Sequence, residues 1–197
     1  MPGYAFNAIF KGSLRNIMVT QGKVLWITGL SGSGKTTLAN AVCEKLKTRG
    51  IKPIMLDGDS MRETLAADSL VISKYDYKSR EKFAKFYGRM AQLIANQGVF
   101  VIVSTISLFR SVFEWNRLNQ PGYYEVFIDL PIEKLKERDP KQIYHNFEKG
   151  NQRRVVGIDT KYDIPKNPDM IFCKETIQHP NKMAEKVILS MLSDKKF

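Results

Sequence analysis

Eight consecutive residues, Gly29-Leu30-Ser31-Gly32-Ser33-Gly34-Lys35-Thr36, have the types and spacing to hold a polyphosphate. They fit the pattern G-x-x-x-x-G-K-[ST], whose glycines let the backbone curl until successive N–H groups point inward at phosphate oxygens. The N-terminus of a following helix adds its partial positive charge to such a cradle. Lys35 is the cation expected to bridge the β- and γ-phosphates of ATP, and the Thr36 hydroxyl is the expected ligand of Mg2+. Gly29, Ser31, Gly32, Ser33, Gly34, Lys35, Thr36 and Thr37 are therefore the candidate ATP-binding residues. A glycine-rich turn that merely opens a helix is the bland alternative. The placement of the pattern, after an apolar strand and at the start of a helix, weighs against it.

Asp57-Gly58-Asp59 is the second candidate. A helix over Thr36–Arg49 rises about 20 Å, and a strand over Ile51–Leu56 spans about the same distance. A parallel crossover of those lengths returns Asp57 to the carboxyl-end edge of the sheet, where ligands bind in open α/β folds. There a carboxylate can take a proton from an attacking hydroxyl, orient that hydroxyl, or hold Mg2+ through water. Two aspartates around a glycine are, taken locally, an ordinary turn, and the placement argument is stronger for Asp57 than for Asp59. Ser104-Thr105-Ile106-Ser107, followed by Phe109 and Arg110, ends another strand on the same edge and is a candidate wall for an acceptor pocket. From Arg138-Asp139-Pro140-Lys141 to Arg153 and Arg154 the chain concentrates bases, as a lid over a triphosphate would need and as a solvated helix face would also show.

The elements that must position these groups alternate. Val24–Ile27, Ile51–Leu56, Val99–Val103, Tyr124–Ile128 and Met170–Phe172 read as strands. Helices are expected over Thr36–Thr48, Lys78–Asn96, Phe109–Leu118 and Pro131–Glu137, with another opened by Pro180. Strands separated by helices imply right-handed crossovers and a parallel sheet with helices on both faces, so the expected class is α/β. Residues 1–22 read as an N-terminal extension and 23–197 as one domain. The chain has 197 residues, 31 Lys and Arg against 20 Asp and Glu, and a net charge of +11, a field that attracts anions without choosing among them. With two cysteines 130 positions apart and two histidines, it lacks the parts of a disulfide framework or a zinc site, and a reduced, cytoplasmic setting is expected. No apolar run approaches the roughly 20 residues of a membrane span, and no membrane partner is expected.

The chain resembles the adenylylsulfate (APS) kinase family of P-loop kinases. The resemblance is carried by G-L-S-G-S-G-K-T at Gly29–Thr36, L-D-G-D-x-x-R at Leu56–Arg62 and I-S-x-F-R at Ile106–Arg110. It continues in E-V-F-I-D at Glu125–Asp129, R-D-P-K-x-x-Y at Arg138–Tyr144 and G-I-D-x-x-Y-x-x-P at Gly157–Pro165. It implies a P-loop NTPase-type parallel sheet with a basic lid segment, and transfer of a phosphoryl group from ATP to the ribose 3′-hydroxyl of a small nucleotide. It further implies Asp57, Lys35 and Lys141 as catalytic residues, with Arg138 on the ATP side of the lid. Asp59, Arg62, Arg80, Phe83, Ile106, Ser107, Lys141, Val155, Gly157 and Ile158 become the expected acceptor-binding residues.

The departures cluster where that family grips its acceptor. The stretch between Arg62 and Arg80 is longer than the usual pattern and carries Val71-Ile72-Ser73 in place of Gly-Phe-Ser. The family's D-R-x-x-N reads Ser79-Arg80-Glu81-Lys82-Phe83, and S-F-I-S-P reads Ser104-Thr105-Ile106-Ser107-Leu108. The aromatic that stacks on adenine in resembling enzymes is Val155 here, and loss of a stacking ring costs about 1–3 kcal/mol. Phosphate-handling groups retained beside a changed base pocket imply the same reaction on a different nucleotide. The favoured acceptor is then cytidine diphosphoramidate, the substrate of the family's branch in capsule phosphoramidate biosynthesis, with adenylylsulfate as the alternative. A nucleic-acid-directed ATPase or polynucleotide kinase would suit the charge, but no nucleic-acid-binding motif accompanies it and no nucleic-acid partner is expected. A non-catalytic nucleotide-binding domain would not be expected to retain Lys35, Thr36 and Asp57 together. A homodimer is the candidate assembly.

Overall fold

In the computed structural model, residues 22–66 and 76–193 are described. The extension, apart from Gly22, lies outside them, as do the Val71-Ile72-Ser73 stretch and the tail lysines Lys195 and Lys196. The strands are β1 (Lys23–Gly29), β2 (Ile54–Asp57), β3 (Phe100–Ser104), β4 (Tyr123–Asp129) and β5 (Met170–Cys173). The helices are α1 (Lys35–Lys47), α2 (Gly58–Ala66), α3 (Tyr77–Ala95), α4 (Arg110–Asn119), α5 (Ile132–Arg138), α6 (Ile143–Glu148) and α7 (Pro180–Ser193). The five strands form one sheet in the order β2-β3-β1-β4-β5. Every pairing is parallel, so the expected α/β class with a parallel sheet is the observed one.

The period of two along each strand divides the core. Leu25 and Ile27 of β1 and Ile102 of β3 face α1 and α7, whose Leu38, Val42, Leu46, Val187 and Ile188 complete that layer. Val24 and Trp26, with Val101 and Val103, face the other way onto Phe83, Tyr87 and Ala91 of α3 and Val112 of α4. Burial on both faces is why the central strands read as continuous apolar runs instead of alternating ones.

Three elements differ from the sequence reading. β2 starts at Ile54 and not Ile51, because α1 ends in a left-handed Gly50 (φ 79°). The Gly50 and Ile51 N–H groups turn back there to the carbonyls of Lys47 and Leu46. Pro53 then has no N–H to give a ladder. Asp57-Gly58-Asp59 is not a turn but the start of α2, and the Asp57 carboxylate caps it by accepting from the N–H groups of Asp59 (3.0 Å) and Ser60 (3.4 Å). Within the basic segment, α6 follows a left-handed Gln142 and is capped by Asp139, which accepts from the Ile143 and His145 N–H groups at 2.8 and 2.9 Å.

The Glu125–Asp129 motif serves β4 and not the cleft. Glu125 is buried and paired with Arg117 of α4 at 3.1 Å, and Arg117 also reaches Asp169 beside β5 at 2.7 Å. Among the described residues no helix is long and apolar enough to cross a membrane.

Candidate functional site

β1 runs straight into the phosphate loop. Gly29 passes so close to β4 that a Cβ there would lie 2.6 Å from the Ile128 carbonyl oxygen, and its φ of 150° suits glycine alone. Gly32 and Gly34 also have positive φ (74° and 98°), and Gly34 precedes the first residue of α1. The first N–H groups of a helix have no partner within it, and a glycine curl ahead of α1 is the arrangement that attracts an anion to them. Lys35 folds back across the loop and donates to the Leu30 carbonyl at 2.7 Å. Burial pushes the Lys35 ammonium down to about 7, with the charge of Lys141 as the next cause. Asp59 and Asp57 oppose the shift without cancelling it.

Asp57 stands where the crossover arithmetic puts it. Its Oδ2 accepts from the Thr36 hydroxyl at 2.9 Å, and the Thr36 oxygen lies 3.4 Å from that of Ser104 at the end of β3. Three oxygen-bearing side chains from three chain segments thus meet at the mouth of the cradle. Gly58 allows this closeness, since a Cβ there would sit 3.0 Å from the Thr105 hydroxyl. The buried Tyr87 hydroxyl donates to the Gly58 carbonyl at 3.2 Å, and burial pushes that phenol up to about 12, so it remains a donor.

Asp59 forms a second node. Its carboxylate accepts from both Arg62 and Lys141, joining α2 to the basic segment. Burial pushes this carboxyl up, but the hydrogen bonds from Lys141 and Arg62 outweigh it and hold it below its ordinary value. The basic segment overhangs the phosphate loop. The Pro140 ring comes within 3.6 Å of the space a Gly32 side chain would fill, and the Tyr144 hydroxyl donates to the Ser31 carbonyl at 2.9 Å.

Together these elements line a cleft of about 990 Å³, at the upper end of the usual range for small-molecule sites. Ser31, Gly32, Gly34, Lys35, Thr36 and Thr37 line one end, with Arg138 and Lys141 above them. Asp57, Asp59, Arg62, Arg80, Phe83, Ile106, Ser107 and Val155 line the remainder. Four expected site residues are not on the cleft wall. Gly29 is spent on the approach to β4, and Ser33 is buried with its hydroxyl unpartnered. Gly157 has a φ of 90° and packs against Leu30, 3.0 Å from where its Cβ would lie, and Ile158 packs onto the core. Conversely, Tyr87 and Tyr144 hold the site together although neither was among the expected site residues, while Thr105 lies in the expected Ser104–Ser107 wall. Tyr144 closes the R-D-P-K-x-x-Y motif, and its spacing from Arg138 is the one available signal.

The adenylylsulphate kinase family profile matches residues 21–173, more than half of the chain and the whole of this cleft. The chain belongs to the adenylylsulphate kinase family. It is a kinase, a phosphotransferase acting on a hydroxyl acceptor. An adenylyl-sulfate kinase from Picosynechococcus is 36% identical over 171 residues, covering 87% of this chain and 94% of the relative. A cytidine diphosphoramidate kinase from Campylobacter jejuni is 38% identical over 142 residues, covering 72% of this chain and 81% of the relative. Among solved structures, the APS kinase of Mycobacterium tuberculosis in complex with AMPPNP and APS superposes with a TM-score of 0.78 at 33% identity, over 88% of this chain and 99% of that one. A gluconokinase from Sinorhizobium meliloti, 19% identical with a TM-score of 0.53, shares the fold.

Proposed function

We propose that this kinase transfers the γ-phosphoryl group of ATP to the ribose 3′-hydroxyl of a small nucleotide, and that its preferred acceptor is cytidine diphosphoramidate. In this reading the phosphate loop and Lys35 hold the β- and γ-phosphates, and Arg138 covers them. Arg62, Arg80 and Lys141 receive the anionic part of the acceptor. A carboxylate has about four lone-pair sites, and Thr36, Asp59 N–H and Ser60 N–H occupy three on Asp57. The remaining site accepts the 3′-hydroxyl proton and turns its oxygen toward the γ-phosphorus.

Thr36, Asp57 and Ser104 present hard oxygen donors suited to Mg2+. Among the described residues no group of three or more His, Cys, Asp or Glu converges to cage a metal, so most of its ligands would be phosphate and water. When bound, the ion neutralises charge on the bridging phosphate oxygens.

The observation that carries the choice of acceptor is Val155. It is only 3% exposed and belongs to the core cluster, so no ring projects where the resembling enzymes stack adenine. A cytosine needs less stacking surface than adenine. Adenylylsulfate is the second reading, favoured by Phe83 and Phe109, two rings that line the same cleft. The test offers ATP and Mg2+ with each acceptor separately. A kcat/KM about tenfold higher for cytidine diphosphoramidate is expected from loss of one stacking contact. Equal values, or a preference for adenylylsulfate, overturn the choice, and background turnover with both overturns the function.

Lys35 makes ATP binding pH-dependent. Its ammonium titrates near 7 in the empty cradle, and the phosphate charge of ATP restores it toward its ordinary value. Protonated Lys35 is thus the binding form: affinity is flat below pH 7 and falls by up to about tenfold per pH unit above it. Calorimetric titration at pH 8 in buffers of different ionisation enthalpy is expected to register uptake of nearly one proton.

A further inference from the structure

We infer that Asp159 is a positioning residue that aims Arg80 into the cleft through the backbone of Arg154. Arg154 has a φ of 63°, a conformation that arginine does not favour by itself. What holds it there is the Asp159 carboxylate, whose Oδ2 accepts from the Arg154 N–H at 2.7 Å and whose Oδ1 accepts from the Val155 N–H at 2.5 Å. The tight loop is closed further by the Gly157 N–H on the Thr160 carbonyl (3.0 Å) and the Thr160 N–H on the Val155 carbonyl (3.1 Å). With its backbone so turned, Arg154 presents its carbonyl oxygen to Arg80, whose Nη2 donates to it at 2.7 Å.

Arg80 sits in the first turn of α3, behind the Asp76 cap, and lines the cleft. A long guanidinium stem has many rotamers, and an acceptor at a fixed point selects among them. Asp159 is not on the cleft wall, and its path to Arg80 runs through the Arg154 backbone. The inference rests on the reading of Arg80 as an acceptor contact, and its consequence is that the Gly157–Pro165 motif supplies geometry as well as surface.

A double-mutant cycle of Asp159→Ala and Arg154→Gly tests it, because glycine adopts a positive φ without the aspartate clamp. In the natural background Asp159→Ala is expected to raise the acceptor KM about tenfold, with the ATP KM unchanged, as a charge-assisted hydrogen bond is lost from its set position. In the Arg154→Gly background the same substitution is expected to change it by less than about twofold. Equal effects in the two backgrounds, or a parallel rise in the ATP KM, overturn the proposal.

The Arg80 guanidinium signals in nitrogen-15 spectra give a readout that needs no turnover. They are expected to shift in Asp159→Ala and to return in the double variant. Unmoved Arg80 signals overturn the relay whatever the acceptor proves to be. Absence of turnover in the unsubstituted protein with both acceptors would instead strike the functional reading alone.

Discussion

Replacing Lys35 by methionine is expected to lower kcat/KM by about 10²–10³-fold, the usual effect of deleting one preorganised group aimed at charge that develops in the transition state. The loop's backbone N–H groups, Arg138 and Lys141 remain and are expected to account for residual activity. The same substitution has an opposite effect on the empty protein. The Lys35 ammonium is pushed down to about 7 by burial first, from an ordinary value of 10.5. The unfolded chain holds that proton more tightly than the folded one. The fold therefore carries a penalty that is complete below pH 7, shrinks between about 7 and 10.5, and is absent above. Lys35→Met is expected to raise the melting temperature of the nucleotide-free protein at pH 6, with a gain that vanishes by about pH 10. Calorimetric scans at both pH values, paired with steady-state kinetics, check the two halves. A variant less stable at pH 6 than the natural protein would show that Lys35 is not held against its own charge.

Asp57→Ala is the second large effect, and here activity and stability fall together. A group that accepts a proton or orients a nucleophile contributes about 10²–10⁴-fold, and a loss of that order in kcat is expected, with a smaller change in the ATP KM. Asp57 is also the N-cap of α2, and loss of a cap costs about 1 kcal/mol. Asp57→Asn separates the two roles. Its amide oxygen can still cap the helix, so stability is expected to recover to within a few tenths of a kcal/mol while kcat stays low. Denaturant midpoints and single-turnover rates measure each part. Recovery of kcat in Asp57→Asn would remove the carboxylate from the chemistry.

The phosphate cradle was legible because glycine at φ values of 74° and 98°, a following helix and a lysine are all local requirements with local signatures. Asp57 was legible for a different reason. The rise of a helix and of a strand are fixed by backbone geometry, so segment lengths alone return Asp57 to the cradle, and the 2.9 Å contact with Thr36 agrees. α2 was hidden because Asp-Gly-Asp is compositionally a turn, and its capping role appears only when the Asp57 Oδ1 accepts from the Asp59 and Ser60 N–H groups. α6 was hidden because six residues hold too little periodicity to read, and its capping residue lies four positions before it.

The order of residue types thus determined, by itself, that this is a parallel α/β chain with a phosphate cradle at the carboxyl end of its sheet. Such properties follow from backbone conformation over a few residues. Tertiary structure alone decided which cations meet which anions. Lys141 meets Asp59 across 82 positions, and Arg80 meets the Arg154 carbonyl across 74. It also decided that Val155 is buried into the core at the cleft wall and that Ser33 stands behind the cleft. Those outcomes depend on how side chains of separate layers fill one space, and close packing couples each of them to neighbours far away in the chain.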